Sequence, residues 1–218
     1  MPKSCFPYHS QGFIISTGDT ILNNQQIRCF IAIELPDEVK AGLHQLQAEL
    51  KLSGHTFVKW VAPESVHITL KFLGNIAPEK VASITKVIEQ AGKTFSPFQL
   101  ETGEVGAFPN LKQPRVLWLS IRGELDKLIA LQQHIDDGLT QLQFAKETRE
   151  FTPHLTLARL RQGTSPRERR EFGELVMKTP IEANYKINVD SISLMKSQLL
   201  PSGAVYSRLS QVKLTAET

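Results

Sequence analysis

Cysteine is nearly absent: Cys5 and Cys29 are the only two in 218 residues. Two thiols build neither a disulfide framework nor a four-cysteine zinc site, so both read as incidental or buried thiols in a reducing compartment. No run approaches the roughly 18 apolar residues that a membrane span needs. The N-terminus has no basic segment followed by an apolar one, so no secretory leader is expected and the cytoplasm is the expected location. Also missing are a glycine-rich phosphate loop, a Gly-x-Ser-x-Gly nucleophile elbow and a His-Glu-x-x-His zinc helix. The net charge is small as well. At +3 it permits an anionic ligand without specifying one, and it is less basic than a protein that coats nucleic acid.

What the chain does contain is an ordinary globular composition, 41% hydrophobic and 22% charged, with ample apolar material for a core. Residues 1–26 are mixed and without period, which predicts a loosely ordered extension ahead of one two-lobed domain over 27–218. "IRCFIAIELP" is the first strand, ended by Pro36. Asp37 is placed to cap a helix whose stripe is Val39, Leu43, Leu46 and Leu50, closed at Ser53-Gly54. "TFVKWV" and "SVHITLKFLG" read as strands, with a turn at Gly74-Asn75. A second helix, 79–91, carries Val81, Ile84 and Ile88. Strands follow at "FQLETGEVGAF" and "RVLWLSI", then a helix with Leu125, Leu128, Leu131, Ile135 and Leu139. "FTPHLTLARL" is a further strand. Ser165 and Pro166 open a short helix with Phe172, Leu175 and Val176. "YKINVDSISLMKS" and "AVYSRLSQVKL" are the last two strands, turned by Pro201-Ser202-Gly203.

One phrase occurs twice. "HITL" begins at His67 and "HLTL" at His154, 87 residues apart (154 − 67). That spacing is too long for a solenoid and suits a duplicated half-domain. The expected architecture is therefore α+β: two lobes related by a pseudo-twofold axis, with antiparallel sheets lining a central cleft and helices outside. Strand alternation sends Val66, Ile68, Leu70 and Phe72 to one face and His67, Thr69 and Lys71 to the other. In the second copy Leu155 and Leu157 turn inward while His154 and Thr156 face the cleft. The same alternation puts Arg159 with the leucines, on the inward face.

Two histidines beside two threonines suit phosphoryl chemistry. Imidazole titrates near neutral pH, so one ring can take a proton while the other gives one, on opposite sides of a phosphorus. Threonine hydroxyls can donate to the oxygens between them. Lys71, Arg159 and, more remotely, Arg115 are candidate cations. A single His-x-Thr on a strand is usually surface decoration; two, each with an aliphatic residue between and leucine after, are far less accidental. A two-histidine metal site lacks an obvious third ligand. His9, His44, His55 and His134 lack this context, and His44 and His134 fall on helix surfaces. Trp60 and Trp118 are expected to be buried, with base stacking by either of them or by Phe108 as the alternative.

At these residues the sequence resembles the two-histidine (2H) phosphoesterases, specifically the LigT-like RNA 2′,3′-cyclic phosphodiesterases historically called 2′-5′ RNA ligases. The resemblance runs from about Arg28 to Leu214 through "RCFIAIELP", "VKWVAPESVHITLKFLGN", "FPNLKQPRVLWL", "FTPHLTLAR" and "LMKSQLLPSGAVYSRL". It implies hydrolysis of an RNA-terminal 2′,3′-cyclic phosphate to a 2′-phosphomonoester with no metal or other cofactor; a monomer is the default expectation, apart from the resemblance. By motif position it implies His67 as proton donor, His154 as proton acceptor, and Thr69, Thr156 and Arg159 as phosphate contacts. Reversible 2′-5′ ligation, which uses the same proton transfers, and a non-catalytic RNA-end binding module are the alternatives.

Overall fold

The computed structural model describes residues 26–52, 54–181, 183–200 and 203–216, so the expected extension lies, apart from Gln26, outside the described residues. The strands are β1 (Ile27–Glu34), β2 (Val58–Trp60), β3 (His67–Ile76), β4 (Phe98–Phe108), β5 (Val116–Gly123), β6 (His154–Leu160), β7 (Lys186–Val189), β8 (Ser191–Leu200) and β9 (Gly203–Lys213). The helices are α1 (Asp37–Lys51), α2 (Lys80–Thr94), α3 (Leu125–Thr140) and α4 (Pro166–Lys178). The strands form one curled sheet in the order β7-β4-β5-β6-β3-β1-β8-β9, with β2 added alongside β6. Every pairing is antiparallel.

The centre of that order explains the doubled phrase. Read outward, β3-β1-β8-β9 and β6-β5-β4-β7 are two four-stranded halves. They meet between β3 and β6 at a single paired position, Ile68 with Leu155. Both side chains are fully buried, so the seam is closed from the core side. Across an antiparallel seam the flanking residues of each strand face the other way, which brings His67, Thr69, His154 and Thr156 to one surface.

The helices cover the opposite surface. The stripes Val39, Leu43, Leu46 and Leu50 of α1, Ile84 and Ile88 of α2, and Leu128, Leu131, Ile135 and Leu139 of α3 are all buried in one core. That core also holds Ile31, Ile33, Leu117, Leu119, Leu155 and Leu157 from the sheet. Each such side chain contributes about 1.5–3 kcal/mol relative to an exposed one. Alternate residues of β1, Phe30 and Ala32, leave this core and form a small separate cluster with Met195, packed by Tyr206. α4 begins with a capping box: the Ser165 hydroxyl accepts from Glu168 N–H at 3.3 Å, and Glu168 Oε2 accepts from Ser165 N–H at 2.7 Å. Pro166 follows at the first helical position, as expected.

Three local expectations are corrected. Pro36, not Asp37, stands at the cap of α1; the Asp37 carboxylate instead accepts from Lys40 Nζ at 2.9 Å. Gly74 lies within β3, where Leu73 has no partner on β1 and the glycine's φ of 69° completes a bulge rather than a turn. The stretch from Tyr185 to Ser197 is two strands, because the chain changes halves at Asp190: β7 pairs with β4, and β8 pairs with β1. Pro201 and Ser202 lie outside the described residues, and β9 starts at Gly203. No helix among the described residues is long and apolar enough to cross a membrane.

Candidate active site

Each histidine of the doubled phrase opens its strand and is anchored in the same way. His67 Nδ1 lies 2.8 Å from the carbonyl oxygen of Ser65. His154 Nδ1 lies 2.7 Å from the carbonyl oxygen of Thr152. A carbonyl can only accept, so Nδ1 carries a hydrogen in both rings and Nε2 is the atom left for the cleft. In the first copy the carbonyl sits on a 3-10 turn, Pro63–Ser65; in the second it precedes Pro153. Thr69 and Thr156 are half-buried on the histidine face.

Beyond the threonines simple alternation fails in both copies, and in the same place. On β1, Ile31 pairs with Lys71 and the next residue, Ala32, pairs with Thr69, so Leu70 is extra. On β5, Leu117 pairs with Ala158 and Trp118 pairs with Thr156, so Leu157 is extra. Each bulge turns two successive side chains inward: Leu70 and Lys71, then Leu157 and Ala158. The residue after each pair returns to the histidine face. These residues are Phe72, 68% exposed, and Arg159, also exposed.

Three sequence readings change as a result. Lys71 is no cleft cation: it is buried, 2.5 Å from Asp136 of α3, and donates to the Ala145 carbonyl at 2.8 Å. Phe72 is not a core residue; its ring lies 6.3 Å from that of Phe30 on the cleft side. Arg159 is turned toward the histidine face, not away from it. Lys59 of β2 pairs directly with it across the strands. The bulged carbonyl of Leu157 is satisfied by Val61 N–H at 2.9 Å and by the buried Gln47 Nε2 at 3.3 Å. Arg115 is exposed just before Val116, the β5 partner of Arg159.

The two imidazoles have different neighbours. His67 stacks on Phe30 at 4.6 Å and 25°, and meets the Tyr206 ring edge-on at 5.2 Å. Burial therefore pulls its proton affinity below that of an ordinary histidine; the Ser65 carbonyl and the Glu34 carboxylate oppose this, and His154 adds to it. Glu34 is gripped by Arg208, and the two line a cavity of about 440 Å³ beside His67 with Tyr206, Met195 and Val205. His154 instead has the Phe108 ring edge-on at 5.2 Å and Trp118 at 6.2 Å. Trp118 departs from the expected burial in the core. It is half-buried on the cleft face because Gly106 leaves room for it, a Cβ there falling 2.2 Å from the indole.

Phe30, Glu34, Tyr206 and Arg208 carried no sequence signal of their own, because only strand register brings them to His67. The other histidines follow expectation where they are described: His44 and His134 are exposed on helices, and His55 packs against Phe57 and Phe172. His9 and Cys5 lie outside the described residues. Cys29 is buried, and burial raises its thiol. Among the described residues no three His, Cys, Asp or Glu side chains gather as a metal-binding group.

Comparison with known proteins agrees with this fold. The profile of the family described as LigT like Phosphoesterase matches the chain over residues 33–118 and again over 120–206, each match containing one copy of the doubled phrase. The RNA 2′,3′-cyclic phosphodiesterase of Archaeoglobus fulgidus is 34% identical over 183 residues, covering 84% of this chain and 98% of the relative. That of Methanothermobacter thermautotrophicus is 30% identical over 189 residues, 87% of this chain and 100% of the relative. Among solved structures, a Thermus thermophilus protein superposes with a TM-score of 0.73 at 27% identity, covering 88% of this chain and 100% of the other. E. coli LigT complexed with 3′-AMP gives a TM-score of 0.68 at 25% identity, with 88% and 99% covered. With two profile matches that together span most of the chain and relatives aligned over nearly their full length, the chain belongs to the LigT-like phosphoesterase family.

Proposed function

We propose that this protein hydrolyses the 2′,3′-cyclic phosphate at an RNA end to a 2′-phosphomonoester, with His67 and His154 as the acid and base. The observation that carries the reading is the pair of histidines facing one cleft across a pseudo-twofold seam, each with Nδ1 tied to a carbonyl and Nε2 free. The activity named for the relatives supports the substrate class.

In the proposed reaction, His154 Nε2 removes a proton from water as its oxygen bonds to phosphorus. The bond from phosphorus to the 3′ oxygen breaks on the opposite side, and His67 Nε2 delivers a proton to that oxygen. The product carries a 2′-phosphate and a free 3′-hydroxyl; His154 is left charged and His67 neutral, and exchange with solvent resets both. Thr69 and Thr156 donate to the non-bridging oxygens, and Arg159 supplies positive charge at the same anion. Every proton is accounted for by side chains, so the reading is metal-independent. An RNA-end substrate and the scarcity of cysteine fit a cytoplasmic protein, and it is taken to act as a monomer. The test is turnover of 2′,3′-cyclic nucleotides and cyclic-phosphate oligonucleotides in EDTA. Turnover should persist in the wild type and fall about 100- to 10,000-fold in His67→Ala and in His154→Ala. Unchanged turnover in either variant rules the assignment out, and tight binding without product points to an RNA-end binding module.

A further inference from the structure

The two halves are matched so closely that their differences can be read position by position. In each half the residue paired across the ladder with the histidine is known: Glu34 faces His67, and Ser120 faces His154. At this matched position one site has a carboxylate and the other a hydroxyl. That carboxylate is held firmly. Its Oε1 accepts from Arg208 Nε at 2.7 Å and from the Ser193 hydroxyl at 2.5 Å, while Oε2 accepts from Arg208 Nη2 at 2.9 Å. Arg208 also donates to Gln211 at 3.2 Å. Three strands, β1, β8 and β9, are thus tied together to fix one anion beside one of the two imidazoles.

We propose that Glu34, clamped by Arg208, is a positioning residue that assigns the acid role to His67 and leaves the base role to His154. The inference rests on the hydrolytic reading above. An anion near an imidazole favours its charged form, and a charge held by a bidentate arginine cannot swing away. The other groups facing His67 are Tyr206 and Arg208 from β9 and His154 from β6, with Glu64 and Lys40 lining the adjoining cavity. Burial against Phe30 works the other way, since it disfavours the imidazolium the acid requires. Glu34 offsets part of that penalty on the one ring that must begin the cycle protonated. Arg208 limits how far it does so, because it partly neutralises the same carboxylate.

The competing explanation is that the ion pair only straps β1 to β9. Two charge-removing variants, one isosteric and one with a shorter side chain, separate the two. Glu34→Gln leaves the Arg208 charge uncompensated, and Arg208→Gln leaves the Glu34 charge unopposed. Followed by NMR in the substrate-free protein, the His67 titration midpoint should fall by roughly half a pH unit to one unit in Glu34→Gln and rise in Arg208→Gln. The His154 midpoint should move less in both, and the limb of the kcat/KM profile that belongs to His67 should follow its midpoint. Loss of activity with an unmoved His67 midpoint, or shifts of the same sign, overturns the inference and leaves a strap. If Glu34→Gln does not fold, the sign of the Arg208→Gln shift decides alone. The titration needs no turnover, so failure of the hydrolytic reading is seen separately, as an inactive wild type in the EDTA assay.

Discussion

The half of the molecule around His67 and the half around His154 share a backbone and differ in side chains. Both hold the histidine by a carbonyl two residues back, both put threonine two residues on, and both insert a bulge before the fifth residue after the histidine. At the equivalent positions stand Lys71 and Ala158, Phe72 and Arg159, Glu34 and Ser120. Backbone symmetry suits the need for two groups on opposite sides of one phosphorus. Side-chain asymmetry suits a reaction whose two sides are unlike, since water enters on one and a ribose oxygen leaves on the other.

Breaking the comparison at its centre should have the largest effect. His67→Ala and His154→Ala each lose about 100- to 10,000-fold, and the double variant is expected to be little worse than either, because the two act as a unit. Single-turnover rates on a cyclic nucleotide measure this; fully multiplicative losses would mean independent roles.

Next comes the buried contrast between Lys71 and Ala158. Asp136→Ala strands a buried ammonium and should cost about 3–5 kcal/mol in urea unfolding, whereas the paired change Lys71→Met with Asp136→Leu should cost much less. Equal losses would show that the pair stabilises by more than mutual neutralisation.

Arg159 against Phe72 comes third. Arg159→Ala should raise KM about tenfold or more, less so at high salt, through loss of a charged hydrogen bond worth about 1.5–3 kcal/mol. Phe72→Ala should raise KM without that salt dependence, since no charge is lost.

The smallest effect is on stability against pH. The folded-state proton affinity of His67 lies below that of a free histidine, near 6.5, so the unfolded chain binds the proton more readily. Its contribution is therefore present above about pH 6.5 and lost as pH falls through and below it. Urea midpoints measured from pH 8 to pH 5 should decline less steeply in His67→Gln; an equal slope would show that other groups dominate.

How much of this was legible depended on whether the signal was local. The helix stripes of α1, α2 and α3 repeat every three to four residues, and all but partly buried Val81 and Leu125 lie inside as read. The doubled phrase gave the duplication, the antiparallel α+β character and the four residues His67, Thr69, His154 and Thr156 that share the face opposite the core. The bulges were not legible, because an extra residue leaves no mark in the strand that carries it. "HITLKF" and "HLTLAR" both look like plain alternation, and only pairing against β1 and β5 reveals that Leu70 and Leu157 have no partner. The change of halves at Asp190 was hidden for the same reason, since "INVDSISL" reads as one strand.

By itself the sequence determined the repeated unit, the faces of the helices and the two histidine-threonine pairs, because each follows from side-chain order within a few residues. The tertiary structure alone decided which face Arg159 takes, where strand alternation and the family resemblance pointed opposite ways, that Phe72 turns toward the cleft, that Lys71 is spent on Asp136, and that a clamped carboxylate stands across the ladder from His67 where a serine stands across from His154. Those outcomes depend on strand register, and register is set by contacts between segments up to 174 residues apart, as between Glu34 and Arg208.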